Sequence, residues 1–147
     1  MTCVAFQCAV AFTFACQVAI KKTSNKKIVK AGAEQLVDAV VYGMEELKAH
    51  DIVVMDLRKV PNALSDFFVV CNGTSNTQVQ SIADSVERET FRLLGEEAAH
   101  TEGGRNATWI LMDYVNVIVH IFSKDARDFY ALEDLWADAS VKRIGNN

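Results

Sequence analysis

The densest run of strand-forming residues in this chain is Thr108 to Phe122, Thr-Trp-Ile-Leu-Met-Asp-Tyr-Val-Asn-Val-Ile-Val-His-Ile-Phe. Trp, Ile, Val, Tyr and Phe suit a pleated, half-buried surface. The interruption from Asp113 to Asn116 is the one place where the run can reverse, so a β-hairpin is predicted. With Val115-Asn116 as the loop, Tyr114 opposes Val117 and Met112 opposes Val119. Alternation then groups Trp109, Leu111 and Asp113 on one face with Ile118, His120 and Phe122. A slip of one residue would exchange the two faces. Val115 is an unusual turn residue, because two-residue hairpins favour Gly, Asn or Asp where φ is positive. A longer or bulged loop is the alternative.

Other elements can be placed around that hairpin. Val29, Ala33, Leu36, Val37, Val40, Met44 and Leu47 recur at helical spacing, which predicts a helix ending near Ala49 or His50. His50 would then sit favourably at the helix C-terminus. Asp51 to Leu57 has apolar residues at both parities and reads as a strand covered on both faces. A loop through Pro61-Asn62 leads to a second strand, Asp66 to Cys71. Ser75 with Gln78 fits a capping box, and a helix is predicted from Asn76 to Leu94 with Gly95 as its stop. Glu96 to His100 reads as a short edge strand. After the hairpin, Ser123 or Asp125 can cap a last helix carrying Arg127, Phe129, Tyr130, Leu132, Leu135 and Trp136, with a frayed tail from Ala137. This order predicts an α+β domain in which helices cover a mixed β-sheet.

Length and charge narrow the function. The 147 residues suit one domain. The divisions are an apolar leader and basic linker at 1–27, a folded domain at 28–137 and a tail at 138–147. Thr2 to Ile20 carries no charge and could just cross a bilayer, but Gln7, Thr13 and Gln17 dilute it, and the lysines follow it rather than precede it. We read it as a leader of no defined role, and expect no membrane association. The first 30 residues hold five lysines and no acid, whereas all nineteen Asp and Glu lie beyond them, against ten Lys and Arg. An acidic body is a poor match for a phosphate backbone, so direct sequence-specific nucleic-acid binding is not expected, and a basic protein partner is. Cys3, Cys8, Cys16 and Cys71 form no CxxC, which points to a reducing, cytoplasmic setting without a zinc site.

Catalytic patterns are sparse. Gly73-Thr74-Ser75 lies at a strand-to-helix turn, where backbone N–H groups can hold an anion. The paired carboxylates that clamp metals in phosphoryl transfer do not accompany it, since Asp84 lies within a helix and Asp113 stands alone. Ser75, His120 and Asp113 could be written as a triad, but no GxSxG is present. Simpler readings are a capping serine and a structural histidine. Trp109, Tyr114, Tyr130 and Trp136 suit core packing or a protein interface. No cofactor or metal pattern is found.

Taken together, Asp51 to Leu57, Ser65 to Ser75, Ile82-Ala83-Asp84, Trp109-x-x-x-Asp113-Tyr114, Val119-His120-x-Phe122 and Arg127-x-x-Tyr130-x-Leu132-Glu133-x-Leu135-Trp136 follow an order that resembles the ribosomal silencing factor (Iojap-like) family, over about Val29 to Trp136. The resemblance implies a nucleotidyltransferase-like fold without its active site. It implies a non-enzymatic factor that binds the large ribosomal subunit through a ribosomal protein at the subunit-joining face, blocks subunit joining sterically and represses translation under nutrient limitation. It also implies that the hairpin supplies the docking surface, through Trp109, Asp113, Tyr114, Val115 and Asn116, with Arg127 and Tyr130 beside it. The family commonly has Gly-Asp at the hairpin tip, where this chain has Val115-Asn116. A homodimer is compatible with the sequence and is not imposed by it. The competing reading is a nucleotidyltransferase-like enzyme using the Gly73-Thr74-Ser75 turn and Asp113.

Overall fold

The computed structural model describes residues 31–145. The leader and basic linker expected at 1–27 lie outside the described residues. Ten elements follow in order: α1 (Ala33–Glu46), β1 (His50–Asp56), β2 (Phe67–Gly73), α2 (Asn76–Leu94), β3 (His100–Glu102), β4 (Trp109–Asp113), β5 (Val117–Ser123), α3 (Lys124–Tyr130), α4 (Leu132–Leu135) and β6 (Ser140–Ile144). The strands form one sheet in the order β3-β4-β5-β2-β1-β6. Its centre is the parallel pair β2–β5, and all its other pairings are antiparallel. The expected α+β architecture with a mixed sheet is therefore present.

Strand alternation divides the core in two. Ile52 and Val54 of β1, Phe67, Val69 and Cys71 of β2, and Val117, Val119 and Ile121 of β5 point to the layer formed by α1 and α2. Val53, Met55, Phe68, Val70 and Phe122 point the other way, towards the short helices and the connecting loops. Every residue of β2 is buried, as the middle strand of a sheet covered on both faces must be. Where α1 crosses α2, a Cβ at Gly43 would stand 2.9 Å from the Val86 Cα, so only glycine permits this approach. Cys71 is a buried small hydrophobe, and burial pushes its thiol up to about 12.

Helix α2 has the bounds read from the sequence. The Ser75 hydroxyl accepts from the Gln78 N–H at 3.2 Å, and Gly95 closes the helix at φ 68°. The reciprocal half of the capping box is displaced by one residue. The Gln78 Oε1 accepts from the Thr74 N–H at 2.7 Å and the Thr74 hydroxyl at 2.9 Å. The Gln78 amide donates to the Leu47 carbonyl at 3.2 Å, tying this turn to the end of α1.

Four expectations are corrected. Helix α1 ends at Glu46, so His50 does not cap it but begins β1. The short edge strand runs over His100–Glu102 rather than Glu96 to His100. The last helix breaks at Ala131, which takes φ 42° and divides α3 from α4. Residues 140–144 are not a frayed tail but β6, paired with β1 from Ile52↔Ile144 to Asp56↔Ser140. Strand β1 has hydrogen-bonding groups along both edges, and β2 satisfies just one of them. The exposed pattern of Ser-Val-Lys-Arg-Ile carries little hydrophobic signal, so this pairing is hidden in the sequence.

Candidate functional site: the open face of the hairpin

The hairpin has the expected register. Met112 opposes Val119, Asp113 opposes Ile118, and the Tyr114 N–H donates to the Val117 carbonyl at 2.9 Å. Val115-Asn116 is a tight loop with Val115 at φ 73°, and the Asp113 carboxylate accepts from the Val115 N–H at 2.7 Å. The Asn116 carbonyl accepts from the N–H groups of Asp66 and Phe67, at 3.0 and 3.1 Å. The tip is thereby fastened to the loop that leads into β2.

Along β4, half-buried residues alternate with buried ones. Trp109, Leu111 and Asp113 are half-buried and share their face with Ile118, His120 and Phe122. The Trp109 indole stacks on Phe122 at 5.1 Å and lies 4.8 Å from Tyr130 of α3. Its Nε1–H donates to the His120 Nδ1 at 3.3 Å. Burial pushes the His120 pKa down to about 4, so the ring is neutral at physiological pH. Because Nδ1 accepts, the proton sits on Nε2, which has no partner. Trp136 packs edge-on against Phe68 at 5.4 Å beneath the same helices. Phe129 and Leu135 stand out into solvent nearby, as do Asp125, Asp128, Asp134 and Asp138. The outcome is an aromatic platform beside short helices that carry exposed carboxylates, with a crevice of about 280 Å³ between Phe122, Arg127, Asp128 and Asp134.

Two residues expected on that face are turned inward. Tyr114 continues the inward parity of Ile110 and Met112, is 4% exposed, and its hydroxyl lies 3.0 Å from that of Thr90 in α2. Arg127 is held by three groups: it donates to the Asp51 carbonyl at 2.7 Å and the Asn72 Oδ1 at 2.8 Å, and pairs with Glu133. It acts as a latch that sets α3 and α4 on the sheet, because its fork meets both the β1–β2 end and α4. Trp109, Asp113, Val115, Asn116 and Tyr130 are half-buried or exposed.

The catalytic alternatives are not assembled. Gly73 pairs with Ser123, whereas Asp113 pairs with Ile118. Five residues of β5 separate those positions, roughly 17 Å at the rise of a strand. Asp113 caps the turn rather than His120, and Ser75 caps α2. Among the described residues, no group of three or more His, Cys, Asp or Glu could hold a metal ion, and no helix is long and apolar enough to cross a membrane.

Loop residue Leu64 is 80% exposed beside the hairpin tip and was not singled out from the sequence. An isolated leucine between Pro61 and Phe67 carries no periodic signal that would mark it as exposed.

This combination defines an α+β domain with an aromatic surface beside exposed carboxylates, of the kind that proteins use to hold other macromolecules. The chain belongs to the ribosomal silencing factor family, matching the family described as "Ribosomal silencing factor during starvation" over residues 30–146. It is 36% identical over 111 residues to the ribosomal silencing factor of Halalkalibacterium halodurans, covering 76% of this chain and 93% of that protein. It is 39% identical over 102 residues to that of Haemophilus influenzae, covering 69% of this chain and 98% of that one. A crystal structure of a Chromobacterium violaceum protein superposes with a TM-score of 0.68 at 29% identity, covering 73% of this chain and 88% of the other. A Bacillus halodurans structure does so with a TM-score of 0.64 at 33% identity, covering 77% and 99%.

Proposed function

We propose that this protein silences ribosomes by docking on a ribosomal protein at the subunit-joining face of the large subunit, where its bulk keeps the small subunit away. The observation that carries this reading is the open hairpin face. Trp109 is held by His120 and Phe122 and flanked by Tyr130, and the adjoining short helices carry the exposed Asp125, Asp128 and Asp134. Rigid aromatic anchors make strong contacts because little side-chain freedom is lost on binding. These carboxylates complement a basic ribosomal protein and steer its approach. Relatives named ribosomal silencing factors, and a mouse relative named mitochondrial assembly of ribosomal large subunit protein 1, support the choice of partner. The docking set is Trp109, Asp113, Val115, Asn116 and Tyr130, with Tyr114 and Arg127 as supports behind it. The setting is the compartment that holds the ribosomes, and the 1–27 segment is not part of the docking domain.

Sedimentation with separated subunits tests the proposal. The protein should pellet with isolated large subunits and not with small ones, should be released by high salt, and should reduce the yield of joined ribosomes. Protein left entirely in the supernatant with large subunits at low salt would refute it.

A further inference from the structure

An open groove of about 480 Å³ runs between α1 and the β1–β6 edge of the sheet, in the layer opposite the open hairpin face. One stripe of α1 forms its first bank, because Glu34, Asp38, Val41 and Glu45 recur every three or four residues. Val37, Val54 and Phe67 make a buried apolar floor, with the more exposed Tyr42 and Ile144 beside them. Lys142, paired with Val54 across β6, stands on the other bank. The lining thus sets three carboxylates against one ammonium. Arg58 pairs with Glu34 at 3.0 Å, but among the described residues no ion pair holds Asp38 or Glu45. The last turn of α1 has no basic residue, so the negative end of its dipole is not offset within the helix. Apolar groups below exposed carboxylates match a lysine side chain, whose stem is apolar and whose tip is a cation.

We propose that this groove is filled by the chain's own basic segment, residues 21–30, folded back along α1. That segment holds Lys21, Lys22, Lys26, Lys27 and Lys30 with no acid, and Ile28 and Val29 supply apolar side chains for the floor. Helix α1 is entered through Ala31, whose N–H donates to the Glu96 Oε1 at 3.3 Å, which fixes the point of return. From there α1 runs for 14 residues, about 21 Å. Ten extended residues reach about 33 Å, enough to follow the whole helix. The dipole disfavours lysines at the N-terminus of α1 and favours them beside Asp38 and Glu45, towards its other end. Being tethered, the segment holds the groove at a high effective concentration. It thereby straps α1 to β6. The contact does not depend on the docking reading, which uses the other layer of the molecule.

Zero-length coupling of lysine amines to carboxylates in the full chain, read by peptide mass spectrometry, tests it. Lys21, Lys22, Lys26 and Lys27 should couple chiefly to Asp38 and Glu45. Coupling spread evenly over exposed carboxylates elsewhere, such as Glu87, Asp125 and Asp128, overturns the proposal. So does coupling at the groove between isotopically light and heavy copies in a mixture, which would assign it to a second molecule. Replacing the four lysines together by glutamine should lower the unfolding midpoint by roughly 4 °C at low salt and by nothing at high salt, where the pairs are screened. Adding Asp38→Asn and Glu45→Gln to that variant should cost less than the same pair costs in the unmodified chain, because the partners are already gone. Full additivity, or equal midpoints for the lysine variant and the unmodified chain at low salt, sinks the contact. A lysine variant that keeps its midpoint and loses affinity for ribosomal RNA assigns the segment to a phosphate backbone instead.

Discussion

The two faces of the sheet are built from the same strands and used differently. On one, α1 and α2 lie side by side over Ile52, Val69, Ile110, Val119 and Ile121, all at most 1% exposed. On the other, only α3, α4 and two loops are available, and they leave Trp109, Leu111, Asp113 and Ile118 half-exposed. A closed face contributes stability through burial and has nothing left to offer a partner. An open face forgoes some of that stability and keeps its aromatic groups available. Stability and docking should therefore respond in opposite order to substitution on the two sides.

Ile121→Ala on the closed face makes a cavity among well-packed neighbours and should cost about 3 kcal/mol in denaturant unfolding. Docking of the molecules that remain folded should be unchanged; a docking loss larger than the unfolded fraction explains would break the comparison. Acid should act next, through His120. Its folded pKa, about 4, lies below the ordinary histidine value of 6.5, so the unfolded chain takes up the proton first as pH falls. The stabilisation from its neutral form is complete above about pH 6.5, is lost as pH falls towards 4, and amounts to about 3 kcal/mol. Asp56 and Glu89, held below their ordinary values by hydrogen bonds from Arg58 and Arg92, lose their contributions only at lower pH. In His120→Gln the slope between pH 6.5 and 4.5 should flatten, and an unchanged slope would assign it to other groups.

Smaller effects sharpen the contrast. Tyr114→Phe removes just the hydrogen bond to Thr90 and should cost about 1 kcal/mol with docking intact. A docking defect without a stability change would return Tyr114 to the contact surface. Tyr130→Ala, at a side chain 47% exposed, should move stability least, by about 0.5 kcal/mol, and weaken co-sedimentation about tenfold. Equal docking by this variant and the unmodified protein would remove α3 from the site.

Much of this was legible beforehand where the signal is local. The period-3.6 spacing of Val79, Ile82 and Val86, with Ser75 and Gly95 at the ends, specified α2 to the residue. Alternation around Asp113 to Asn116 offered a register, with a slip or a longer loop as alternatives, and the structure has the one with Val115-Asn116 as the loop. The same alternation set Tyr114 on the face opposite Trp109, Leu111 and Asp113, without deciding which face is inward. Its place at the docking surface was what the resemblance implied, whereas the structure turns it inward, at 4% exposed. Arg127 misled for a different reason: its partners, Asp51, Asn72 and Glu133, are brought together only when three segments meet.

What the order of residues determined alone is therefore the set of elements whose partners are close in the chain, together with the family and the aromatic character of one hairpin face. Periodicity, caps and turns act over a few residues and need no other contact. Tertiary structure decided that Ser140–Ile144 becomes a strand, that the last helix divides at Ala131, and which of two aromatic neighbours, Tyr114 or Tyr130, reaches the outside. Each of those outcomes depends on a distant surface: the unpaired edge of β1, the carbonyl and amide that hold Arg127, and the layer of α2 that closes over one side of the sheet and leaves the other open.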